Sequence, residues 1–108
     1  MAFGTQKFAL KKVDGQLPNA TATLYTCPAN TQTVIKKIVV TNTDVLPRTF
    51  NIYINGTQIN PVNMNLAAGY YTVDEDTATL EAGDIIEGDA SVAAIVSFVV
   101  SLVEEPTA

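Results

Sequence analysis

The sequence predicts an all-β protein, a single antiparallel β-sandwich of about seven or eight strands with Ig-like or jelly-roll connectivity. Three observations carry this. Helical periodicity is absent, while Thr, Val and Ile dominate the patterned stretches. Turn residues recur about every eight to fourteen positions, the spacing of short strands joined by tight connections. The 108 residues leave room for one core only, and folding a chain of this size buries roughly 65% of the surface it exposes when unfolded.

Taken in order, residues 1–20 are expected to form an N-terminal strand or arm ahead of the sandwich at 21–108, with a strand around Lys7–Val13. Asp14-Gly15-Gln16-Leu17-Pro18-Asn19 is rich in turn formers, and a second strand follows around Thr23–Thr26. QTVIKKIVVTNT reads as a long strand whose alternation slips at Lys36-Lys37, where a bulge would let Ile35, Ile38 and Val40 all face inward. RTFNIYINGTQINP is the sharpest unit. Phe50, Ile52 and Ile54 alternate with Thr49, Asn51 and Tyr53, and Asn55-Gly56 is the favoured pair of a two-residue type I′ turn. That turn would pair Ile54 with Thr57, Tyr53 with Gln58 and Ile52 with Ile59, both isoleucines on the core face.

Beyond Asn60-Pro61 the parity changes, so that Val62, Met64 and Leu66 alternate with Asn63 and Asn65. Leu66-Ala67-Ala68-Gly69 and Leu80-Glu81-Ala82-Gly83 echo one another and read as similar turns at one end of the sandwich. The last strand, SVAAIVSFVVSLVE, is apolar on both faces. Val92, Val96, Phe98, Val100 and Leu102 point one way; Ile95, Val99 and Val103 point the other with only Ser97 and Ser101 between them. A strand solvated on one face would be more polar there, so Ile95, Val99 and Val103 are candidate subunit contacts.

Chemistry has few means here. The chain has no histidine and one cysteine, Cys27, which removes the commonest general base, the usual triads, a disulfide and most zinc sites. The net charge of −5 argues against a nucleic-acid partner, which calls for a basic stripe. No stretch is long and apolar enough to span a membrane as a helix. Residues 73–90, VDEDTATLEAGDIIEGDA, hold seven carboxylates, but neither acidic cluster fits the calcium-loop spacing, and the acids read as solvated turns. No catalytic, metal or cofactor residues are expected. The charge is unevenly split: six basic residues against two acids precede Thr49, and nine acids with no basic residue follow. Such a split suits head-to-tail contact between copies, unless interleaved strands mix the two halves in space.

YTCPANTQTVIKKIVVTNT (Tyr25–Thr43), with RTFNIYINGT, LAAG, LEAGDIIEGDA and SVAAIVSFVVSLVE, resembles the small β-sandwich virion structural proteins of tailed bacteriophages, of the capsid decoration (cement) type. In those chains a Y-T-x-P-A-(N/G)-T-x-x-x-I-K strand is followed by T-N-T, a central hairpin, L-x-A-G-(D/E) turns and a Val-rich last strand ending in an acid. The likeness covers roughly residues 21–104. It implies a non-enzymatic role on the capsid surface of a virion assembled in the host cytoplasm, often as a homotrimer, with the major capsid protein or tail proteins as partners. It transfers no site residues. On this reading Phe3, Lys7, Phe8, Lys11 and Lys12 are the candidate arm that reaches the shell. The alternatives are a tail, neck or fibre component and, from another class, a calcium-dependent ligand- or carbohydrate-binding module.

Overall fold

The computed structural model describes residues 9–75 and 77–107, and every described residue in regular structure is in a strand. There are ten: β1 (Ala9–Gln16), β2 (Ala22–Thr26), β3 (Thr31–Asn42), β4 (Arg48–Ile54), β5 (Thr57–Gln58), β6 (Met64–Leu66), β7 (Tyr71–Asp74), β8 (Ala78–Leu80), β9 (Ile85–Ala90) and β10 (Val96–Pro106). They form two antiparallel sheets, β1-β10-β3 with β7 and β8 beside β3, and β2-β9-β4 with β5 and β6 beside β4.

The topology follows from one turn. Asn55 and Gly56 both have positive φ, 52° and 83°, and they pair Ile54 with Thr57 and Tyr53 with Gln58 as the sequence predicts. Every other pairing of early with late strands nests around that turn: Phe50 with Met64, Ile35 with Ala78, Ala22 with Gly88 and Ala9 with Glu104. The chain is thus one long antiparallel ribbon, folded over so that β10 also pairs β3 and β9 also pairs β4. This is jelly-roll rather than Ig-like connectivity. Two edge positions are each shared by two short strands, so ten strands fill eight places.

The core lies between the sheets. β3 and β10 meet over their whole lengths, with a register shift at Ser101/Leu102 opposite Lys36. That bulge puts Ile35, Ile38 and Val40 inward, where they pack with Phe50, Ile52, Phe98, Val100 and Leu102. Leu17, Leu80 and Ile86 are fully enclosed.

Several expectations are corrected. β10 begins at Val96, not Ser91, because residues 91–95 form the turn that crosses between sheets, with Ala94 at φ 62°. β1 continues through Asp14 and Gly15 to Gln16, paired with β10 throughout. Ile59 pairs with Ile52 as expected through its N–H to the Ile52 carbonyl at 3.0 Å, but its side chain does not join the core and is 36% exposed, and Asn60 continues the ladder from there. The Asn60 side chain accepts from Ile52 N–H at 2.7 Å and donates to the Phe50 carbonyl at 3.1 Å. Val62 is exposed and lies outside β6.

The two L-x-A-G turns are alike but not at one end. In each the N–H after the glycine returns to the residue after the leucine (Tyr70 to Ala67, 3.0 Å; Asp84 to Glu81, 2.9 Å), with Gly69 and Gly83 at φ 71° and 89°. β7 and β8 run the same way along β3, from Thr41 towards Thr33. The turn before β7 and the turn after β8 therefore fall at opposite ends. The end that receives the first also holds the β1–β2, β3–β4 and β9–β10 connections. Its hub is Asn42, fully buried, whose amide donates to the carbonyls of Leu46, Leu66 and Ala67 at 2.9, 3.1 and 3.3 Å and accepts from Asp44 N–H at 3.0 Å.

Candidate functional site

Strand alternation gives each sheet an outer face, and the register shows what each carries. On the β2-β9-β4 sheet, Asp89 and Asn51 stand side by side, as do Glu87, Tyr53 and Gln58. These side chains are tied together. Asp89 accepts from Thr21 Oγ1 at 2.7 Å and from Asn51 Nδ2 at 2.9 Å, and Asn51 Oδ1 accepts from Gln58 Nε2 at 2.7 Å and Asn63 N–H at 2.8 Å. Partial burial and the neighbouring Asp89 raise the Tyr53 phenol above its ordinary range. This face is polar and satisfied by its own groups.

The outer face of the β1-β10-β3-β7 sheet differs. Its rows run Asp14, Val99, Val39, Val73, then Lys12, Ser101, Lys37, then Leu10, Val103, Val34, Thr79. Leu10 is 87% exposed, Val73 41% and Tyr71, at the top of the same face, 66%; Val34, Val39, Val99 and Val103 are half-buried by one another. Water meets two rows of branched apolar side chains with Lys12 and Lys37 in the row between them, more apolar surface than a solvated strand face usually carries.

Of the candidate subunit contacts, Val99 and Val103 lie on this face in rows separated by that of Lys12, Ser101 and Lys37. Ile95 does not join them; it sits in the β9–β10 connection, where its carbonyl accepts from Thr43 Oγ1 at 2.6 Å. Val34, Val39, Val73 and Leu10 share this face without being among the residues that the sequence singles out. Val34 and Val39 carried a usable signal, since they are apolar at outward positions on either side of the Lys36 bulge.

The candidate arm is divided. Phe3, Lys7 and Phe8 lie outside the described residues, whereas Lys11 and Lys12 belong to β1. Lys12 pairs with Asp14 at 3.2 Å on the outer face. Lys11 reaches Glu104 at 3.5 Å, beneath which the Tyr25 ring lies 5.9 Å from its ammonium. Tyr25 Oη donates to Glu104 at 2.5 Å and meets Thr33 Oγ1 at 2.8 Å, and Cys27 Sγ lies 3.2 Å from the same hydroxyl. Burial and the Glu104 carboxylate push the Tyr25 phenol well above its usual range. This cluster seals the Cys27 end of the core. Lys11–Glu104 also joins the basic half of the sequence to the acidic half, so interleaving does mix them in part.

The acidic stretch is dispersed. Glu81 and Asp84 form a turn in which the Asp84 carboxylate accepts Glu81 N–H at 3.0 Å. Glu87 and Asp89 lie on the polar outer face. Gly88 between them is a mid-strand position facing Leu17, Leu24 and Ile52. Among the described residues no three carboxylate or cysteine side chains converge as metal ligands would.

No family model matches the chain, and no curated protein matches its sequence. Solved structures do share its fold. A chain of the acid-stable capsid structure of Helicobacter pylori bacteriophage KHP30 superposes with a TM-score of 0.58 at 10% identity, covering 94% of this chain and 89% of that one. A subunit of the disulfide-linked pili that form Bacillus endospore appendages gives a TM-score of 0.50 at 17% identity, covering 100% and 96%.

Proposed function

We propose that this protein is a non-enzymatic virion structural protein of a bacteriophage, a decoration (cement) protein that sits over joints of the capsid shell and stabilises it. The observation that carries this reading is the asymmetry of the two outer faces. One satisfies its polar groups internally and meets water. The other presents Val34, Val39, Val73, Val99 and Val103 with Leu10, and is the face that docks. The two structural relatives named above are parts of multicopy assemblies, a phage capsid and a pilus, and the tailed-phage resemblance points the same way. Pilus-type disulfide linkage suits this chain poorly, because its single cysteine is 1% exposed and hydrogen-bonded inside the core.

The docking sheet measures about 19 by 27 Å from four strand spacings and eight residues, so face-on-face contact buries on the order of 1,000 Å². That is the lower limit of a lasting interface. It suits a protein bound through several contacts at once, as a trimer spanning a joint of the major capsid protein would be. The paired substitution Val39→Asp/Val99→Asp tests this. Particle occupancy is expected to fall at least tenfold with the thermal transition retained, while Thr23→Asp on the opposite face leaves occupancy unchanged. Equal occupancy for both variants overturns the reading.

A further inference from the structure

The sandwich is open along one side. Where the β7–β8 edge of one sheet faces the β5–β6 edge of the other, a cleft of about 420 Å³ reaches the core. Ile38 and Val40 from β3 and Phe50 and Ile52 from β4 form its floor, and Asp74 and Glu75 stand on its rim. A second opening of about 200 Å³ adjoins it, sharing Ile38, Ile59 and Asp74 and reaching Ile54 and Ala78. Together they make a groove along the sheet edges. Protein interiors leave few voids larger than a water molecule, and the strands on either side present edge backbone that an added strand pairs with. The groove is apolar below and carries Asp74 and Glu75 at the lip.

We infer that this groove receives the N-terminal residues 2–8 of a second copy of the chain. Charge complementarity favours that occupant: residues 1–13 contain three lysines and no acid, whereas the lip carries Asp74 and Glu75. The apolar content fits as well. Phe3 and Phe8 are five residues apart, so in an extended segment they lie on opposite faces. Whichever face turns inward, one phenylalanine meets the floor.

Reach keeps Phe3 of the same copy from the middle of the groove beside Thr72, though not from its near end at Ile35 and Ala78, about 16 Å from Ala9. Ala9 pairs with Glu104 at the far edge of the sheet, in the row of Thr33 and Leu80. The middle of the groove is three strand spacings across and about six residues along, a diagonal of about 25 Å. Phe3, six residues before Ala9, extends only about 20 Å, and Phe8 adjoins Ala9. At Thr72, beside Asp74 and Glu75, the contact is therefore between copies and head-to-tail, basic segment into acidic groove, which closes into a ring or propagates as a chain.

This inference extends the proposed assembly role but is tested on the purified protein alone, so its failure leaves particle binding to be judged separately. Phe3→Cys and Thr72→Cys are made as two single variants, mixed in equal amounts and oxidised gently. Thr72 lines the groove, and the native Cys27 is buried. The mixed disulfide of the two variants is expected to exceed either homodimer at least tenfold, and Glu75→Lys in the Thr72→Cys chain is expected to reduce it several-fold. Combining the latter with Lys7→Glu in the Phe3→Cys chain restores the yield. Statistical yields of the three dimers, with circular dichroism showing folded protein, overturn the proposal. So does native mass spectrometry that finds a small apolar ligand in the groove and no mixed dimer.

Discussion

Replacing Asn42 by leucine is the most informative single perturbation of the fold. The asparagine is fully buried at the end of β3 and satisfies three carbonyls belonging to two connections, Leu46 on one side and Leu66 and Ala67 on the other. Leucine has the same branched side-chain shape with methyl groups in place of the amide, and none of the donors. Each buried carbonyl left without a partner costs about 1–3 kcal/mol. Leu46 lies in an exposed loop and regains water, and the Ala67 carbonyl keeps Tyr70 N–H, so the Leu66 carbonyl and the Asp44 N–H contribute, for a loss of about 3 kcal/mol. With a urea dependence of about 1.5–2 kcal/mol/M, typical of a small domain, the unfolding midpoint drops by roughly 1.5–2 M. Asn42→Asp, which sets a carboxylate against those carbonyls, is expected to cost at least as much, with the loss growing as pH rises from 4 to 7. Equilibrium urea unfolding followed by circular dichroism reads all three proteins. A leucine variant within about 0.5 kcal/mol of the parent would refute the claim that this amide holds the end together.

Two further outcomes follow from the packing. A Cβ on Gly88 would lie 2.9 Å from Leu17, 3.0 Å from Leu24 and 3.1 Å from Ile52, so Gly88→Ala is expected to cost about 1 kcal/mol and Gly88→Val about 2–3 kcal/mol. Calorimetry should show the alanine transition about 4–8 °C lower; a higher transition contradicts the close approach. For Tyr25, the folded protein keeps the phenolic proton above the ordinary pKa of 10.0, whereas the unfolded chain releases it there. The folded state then binds more protons, so stability is lost as pH rises past about 10. Tyr25→Phe is expected to flatten that alkaline decline, and an unchanged slope counts against the buried Tyr25–Glu104 pair.

Local chemistry made much of this fold legible. Asn55-Gly56 demands positive φ at two consecutive residues, and that requirement sets the centre of the ribbon. The slip at Lys36-Lys37 is visible because three inward residues cannot otherwise share one face. What stayed hidden depends on contacts distant in sequence. Nothing local shows that Asn60 replaces a ladder strand with its side chain, or that the two L-x-A-G turns lie at opposite ends. Nothing local shows that Leu17, Leu24 and Ile52 crowd Gly88. The apolar outer face was half visible: β10 alone shows Val99 and Val103, but Val39 and Val73 join them only through register. Ile95 shares their parity in sequence and leaves them because β10 starts one residue later.

The central claim is that this is a multicopy part of a virion shell. Quantitative mass spectrometry of purified particles from a lysate containing this chain, scaled to the major capsid protein, tests it most directly. The account predicts hundreds of copies per particle. A dozen or fewer would move the protein to the tail, neck or fibre, and absence from the particles would contradict the account.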